Sequence, residues 1–146
     1  MKLDEAGVIG TIAPMTDRLD EPYWDGLAQG RLLIQRCDDC GSWIWGPSWM
    51  CADCHRFGPD WVEVEAVGTV FSWTRTWQRF SAEFADAVPY ITVLVELPHA
   101  GGRRVLGILV GDDSLDPQIG APVVGRIQAP SDLTSNMPIL RWERAS

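Results

Sequence analysis

What this chain lacks narrows its chemistry before its motifs are considered. No apolar run approaches the ~18 residues of a membrane-spanning helix. The opening stretch, MKLDEAGVIGTIAP, carries acidic residues early and no apolar centre, so it does not read as a secretory signal. A cytoplasmic protein is expected. Positive charge is scarce, with 12 basic against 20 acidic residues and a formal charge of −8. Phosphate backbones repel such a surface, which argues against nucleic acid as a general partner. Lys2 stands alone against eleven arginines, a ratio that fits the codon bias of a GC-rich genome. Histidine occurs twice, as His55 and His99, and there is no G-x-S-x-G, H-E-x-x-H, phosphate-loop or dinucleotide fingerprint. The acidic pairs Asp38-Asp39 and Asp112-Asp113 read as solvated surface. No catalytic residue is therefore assigned, and the chain by itself is not expected to be an enzyme.

The 146 residues are 46% hydrophobic, enough for one small domain with an attached module, and a core of that size gains from a metal staple. Residues 1–19 show no periodicity and read as an arm. A helix should follow, with Asp20 as cap, Glu21 and Pro22 in its first turn and Gly30 at its stop. Arg31–Arg36 reads as a strand running into Cys37. Beyond residue 60 the pattern is short β-runs: Trp61–Val67, Thr69–Gln78, Tyr90–Leu97, Arg103–Val110, Val123–Ala129 and Ile139–Glu143. Proline and glycine punctuate the gaps, as in a small barrel or sandwich. The expected divisions are an arm over 1–19, helix and ribbon over 20–60, and a barrel over 61–146.

Cys37, Cys40, Cys51 and Cys54 form C-x2-C-x10-C-x2-C. Each C-x2-C turn presents two sulfurs on one side of a knuckle, and two knuckles complete a tetrahedron around zinc. Gly41 follows the first pair, where the chain must bend. In a reducing compartment clustered cysteines favour a metal over disulfides. A redox C-x2-C site lacks its usual βαβ setting, and an iron–sulfur cluster would share the ligand set. Four thiolates leave no open position for water, so one structural Zn2+ is expected, coupling on the order of 10 kcal/mol to folding. With the metal bound the chain carries about −10. His55 lies beside Cys54, but four cysteines already suffice.

PYWDGLAQGRLLIQRCDDCG, the second C-x2-C and VGTVFSWTRTW together resemble the domain of unknown function 35 family, over roughly Glu21 to Glu143. The resemblance implies a mainly β chain: an N-terminal helix and rubredoxin-like zinc ribbon followed by a small OB-fold β-barrel. It also implies an accessory subunit of a thiolase-superfamily enzyme, a thiolase or steroid side-chain aldolase, or a neighbour of hydratase-like domains acting on acyl-CoA. Where the family has a Pro-Pro-Arg-like stretch, this chain has Gly46-Pro47-Ser48, so no role of that arginine carries over. Arg75 and Arg79 flank Trp77, and Arg103-Arg104 opens a strand; guanidinium forks match the phosphates of CoA, so these four are candidates for binding it. Trp43, Trp45 and Trp49 lie between the knuckles, in a loop too short for its own core, and are candidates for a partner interface, the other reading being packing against the barrel. Trp61, Trp73 and Trp142 read as strand residues of the core. The alternative function is a nucleic-acid-binding ribbon and OB-fold module.

Overall fold

A computed structural model describes residues 17–82, 85–112 and 114–146. Most of the expected arm, residues 1–16, lies outside the described residues. The helix α1 spans Glu21–Ala28, with Pro22 in its first turn. Gly30, in the left-handed region at φ +75°, ends it. Asp20 does not cap α1 with its side chain. Its carboxylate instead accepts the indole N–H of Trp24 at 2.9 Å, which ties the start of the helix to its own aromatic face.

Strands β1 (Leu32–Arg36), β2 (Trp43–Ile44) and β3 (Asp60–Val64) form a three-stranded antiparallel sheet with β1 in the centre. β3 pairs with β1 from Leu32↔Val64 to Arg36↔Asp60. The expected division between residues 60 and 61 lies at the start of β3, the last strand of the ribbon sheet, and the first barrel strand begins at Val67.

The barrel is built from β4 (Val67–Thr76), β5 (Tyr90–Leu97), β6 (Arg103–Val110), β7 (Pro122–Gln128) and β8 (Ile139–Arg144), closed in the order β4-β5-β6-β8-β7. β6 and β8 run parallel, and the other neighbours run antiparallel. This is the closed five-stranded path of an OB-fold, which leaves no open sheet edge. The alternation along β5 explains it physically: Ile91, Val93, Val95 and Leu97 are all 1% exposed or less, while the intervening residues face outward. A bulge at Phe71 shifts the β4 register between Val70 and Ser72 and turns the ring to the surface.

Trp142, fully buried, fills the barrel against Gly107. Trp73 packs against the same cluster, whereas Trp61 sits on β3 of the ribbon sheet, half-buried. The core is continuous: Leu27 of α1, Leu32 and Ile34 of β1, and Val64 of β3 join the barrel interior in one cluster. Among the described residues no helix is long and apolar enough to cross a membrane.

Candidate metal centre and the surfaces around it

The first knuckle leaves the end of β1 and returns through β2; the second is a small hairpin closed by the Met50↔Phe57 bridge. Both use one backbone pattern. The Cys37 N–H donates to the Ser42 carbonyl (2.8 Å) and the Gly41 N–H to the Cys37 carbonyl (3.0 Å). In the second knuckle the Cys51 N–H donates to Arg56 and the His55 N–H to Cys51, both at 2.9 Å. Gly41 and His55 therefore occupy equivalent places, and both are left-handed, at φ +77° and +63°. His55 is the turn residue of its knuckle rather than a ligand. An ion pair from Arg56 to Asp38, at 2.9 Å, bridges the two knuckles, as does the Ser42 hydroxyl donating to the Asp53 carboxylate.

These turns gather the four sulfurs within 4.8 Å of one another. Cys37 and Cys54 are 3.5 Å apart, and Cys40 and Cys51 3.6 Å. A zinc tetrahedron with bonds of ~2.3 Å has sulfur–sulfur edges of about 3.8 Å, so the donor set fits the ion. Cys37 and Cys51 are buried while Cys40 is exposed. Hydrogen bonding with the Ser42 side chain and backbone brings the Cys40 thiol down to about 6. At Cys54 the Arg56 amide lowers the thiol, but contact with the Cys37 sulfur, desolvation and the other two sulfurs push it up to about 12. Sulfurs so close cannot all ionise without a cation among them. The four cysteines hold one structural zinc, and with four thiolates bound the ion keeps no position for a reacting water.

The tryptophans between the knuckles divide. Trp43 packs against the core, with Arg36 stacked over its ring at 4.8 Å, and it touches Gly101 of the turn before β6. Trp45 also packs against the core and meets Tyr23 of α1 edge-on at 5.4 Å. Trp49 is 59% exposed. Gln35, which the sequence reading passed over, is buried and clamps this loop: its amide oxygen accepts the Ser48 N–H at 2.8 Å and its amide nitrogen donates to the Ser48 carbonyl at 3.1 Å. On the barrel, Trp77 and Phe80 stand 70% and 75% exposed.

The four candidate arginines do not share one site. Arg75 opposes Ile91 on β5 and pairs with Asp116 at 2.6 Å, and Arg79 is exposed on the loop after β4. Arg104 opposes Glu96, five residues further along β5, where it pairs with that carboxylate at 3.0 Å and stacks on Phe71 at 3.5 Å. Arg103 lies beside it, exposed. At about 3.4 Å per residue the two groups stand some 17 Å apart along the strand. His99 accounts for itself structurally, its Nε2 lying 2.9 Å from the Glu65 carbonyl.

Two family models meet end to end on the chain: the ChsH2 rubredoxin-like zinc ribbon domain over residues 24–60 and the ChsH2 C-terminal OB-fold domain over 61–128. The chain belongs to the domain of unknown function 35 family. Among solved structures, a chain of the Ltp2-ChsH2(DUF35) aldolase superposes with a TM-score of 0.80 at 28% identity, covering 92% of this chain and 100% of that one. A family protein of unknown function from Sulfolobus solfataricus shares the fold at TM-score 0.59 and 20% identity, over 89% of this chain and 87% of that one. A curated relative, a probable enoyl-CoA hydratase alpha subunit of Thermomonospora curvata, is 35% identical over 124 residues, 84% of this chain. This family member spans 37% of that relative's length.

Proposed function

We propose that this chain is a non-catalytic accessory subunit that docks onto a thiolase-superfamily enzyme, a thiolase or aldolase, and supports its action on acyl-CoA thioesters. The observation that carries the reading is the likeness, over the whole of that chain, to the DUF35 component of an aldolase. The relative named as a hydratase alpha subunit supports the acyl-CoA context. The metal supports it chemically, because a closed four-thiolate site stabilises a fold and activates no nucleophile. The physical support for docking is apolar surface with no use in the monomer: Trp49, Phe57, Trp77 and Phe80 are each more than half exposed.

Trp49 is the interface residue we assign in the ribbon; Trp43 and Trp45 hold the ribbon to α1 and the barrel. The test is purification from the native host with zinc retained, followed by reconstitution of the recovered enzyme with wild-type and variant chains. A thiolase-like partner should co-purify, and turnover of a CoA thioester should require both chains. Trp49→Ala should weaken the complex about 30-fold while leaving zinc content and thermal unfolding unchanged. Trp43→Ala should instead lower stability by about 2–4 kcal/mol. Turnover by the isolated chain, or RNA as its sole partner, would defeat the proposal.

A further inference from the structure

The four sulfurs of the metal centre are not equally sheltered. Cys51 and Cys37 are 0% and 2% exposed, Cys54 is half-buried, and Cys40 is exposed. The difference follows from the knuckles: Cys37 continues β1 directly, whereas Cys40 stands at the outer end of the turn that follows it. A cleft of about 400 Å3 opens beside this turn, and Cys40 lines it with Arg36, Asp38, Asp39 and Asp60. Three carboxylates against one guanidinium disfavour anions there and leave the cleft open to small uncharged molecules. On the inner side, the Cys51 sulfur lies 3.6 Å from that of Cys40, as Cys54 lies 3.5 Å from Cys37, so the close pairs cross between the knuckles. Metal binding keeps all four sulfurs as thiolates, and access then decides which of them reacts. An exposed thiolate with a second sulfur in reach behind it is the arrangement that peroxides convert to a disulfide.

We infer that Cys40 is a modification site for a small uncharged peroxide and that Cys51 is its resolving partner. The inference concerns the metal centre and does not depend on the accessory reading. The Cys40 thiolate attacks one peroxide oxygen: an S–O bond forms, the O–O bond breaks, and hydroxide leaves. Sulfur is oxidised to the sulfenic acid and the peroxide is reduced. The Cys51 thiolate then attacks the Cys40 sulfur, forming the S–S bond and expelling the sulfenic oxygen as a second hydroxide. With two of its four thiolates consumed, the centre no longer holds its ion. The resulting disulfide ties the two knuckles together across the loop that carries Trp43, Trp45 and Trp49.

The test treats the zinc-loaded full chain with hydrogen peroxide and quenches it before all the metal is released. Zinc is followed with a chromogenic chelator and the thiols by peptide mass mapping. Cleavage before Asp38, Asp39 and Asp53 leaves Cys40 and Cys51 on one peptide, apart from Cys37 and Cys54. With dimedone present, the first sulfenic adduct should be on Cys40. Without it, the peptide holding Cys40 and Cys51 should lose two hydrogens as zinc appears. Cys40→His exchanges the oxidisable sulfur for a nitrogen ligand that zinc accepts, and should slow zinc release about tenfold or more. If that variant does not retain zinc, mapping of the wild type decides alone. First modification at another cysteine, a disulfide from Cys40 to Cys37 or Cys54, no reaction of the loaded chain, or release from zinc-loaded Cys40→His at the wild-type rate would overturn the inference.

Discussion

Gly68 on β4 packs tightly against β5, and replacing it with alanine tests the packing argument directly. A Cβ there would lie 2.4 Å from the Glu96 carbonyl oxygen, 2.6 Å from Val95 Cγ1 and 3.1 Å from Leu97 Cδ2. Gly68 is not among the left-handed glycines, so space rather than backbone conformation demands it. The nearest obstacle is backbone, and it belongs to the ladder that pairs Thr69 with Glu96, so relief means parting β4 from β5. Overpacking costs about 1–3 kcal/mol, and a backbone obstacle places Gly68→Ala near 3 kcal/mol. For a chain of this size that corresponds to a fall in Tm of about 6–12 °C. Gly120→Ala is the comparison, because nothing lies within 4 Å and only its φ of +84° opposes a side chain. That cost is about 1–2 kcal/mol. Thermal and urea unfolding of zinc-loaded variants decide the matter. If Gly68→Ala lost no more than Gly120→Ala, the close approach would not be what requires the glycine.

The equivalence of Gly41 and His55 predicts that His55→Gly retains one zinc per chain and gains about 1 kcal/mol of stability by relieving a left-handed histidine; metal loss on this change would make His55 a ligand. Stripping the metal with a chelator should expose four reactive thiols and lower the unfolding midpoint of the whole chain, and Cys37→Ser should act alike; a metal-free chain with wild-type stability would show that the site is not structural.

Local pattern made some elements legible and left others ambiguous. β5 and β6 lie where their alternation and flanking turn residues put them, because each period-2 run faces a buried interior on one side. The cysteine spacing specified the metal centre because knuckle geometry is set within a few residues. Three-dimensional neighbours were harder to read. The alternation of Trp61–Val67 marks a strand but not its partner, and β3 joins β1, some thirty residues earlier in the chain. Composition alone left the loop tryptophans open between interface and packing. Tyr23 and Gly101 supply the walls that take Trp45 and Trp43 inward, and both are remote in sequence from the loop. Asp20 has the chemistry of a cap, but an indole N–H one turn ahead competes for its carboxylate. Arg141 is buried on β8 although arginine on a strand normally meets water, a burial that composition and alternation do not signal.

The metal sits at one end of a connected structure, and on the accessory-subunit proposal this bears on how the chain would present itself to a partner. Cys37 directly follows β1, whose Leu32 and Ile34 belong to the same buried cluster as Val93 and Val95 inside the barrel. Ordering of the knuckles by the metal therefore extends through β1 into the barrel core and does not stop at a linker. Trp43 makes a second connection, lying so close to Gly101 that a Cβ there would come within 2.7 Å of the indole Cδ1. At a φ of +63°, Gly101 is doubly constrained to glycine. With the ribbon fixed in this way, the exposed Trp49 beside the second knuckle is carried on a preformed ribbon surface. Binding to a preformed surface avoids most of the ordering entropy that a flexible two-module chain would lose on docking. On this view the metal contributes to association indirectly, by holding the ribbon's aromatic residues in fixed relation to those of the barrel before the partner arrives.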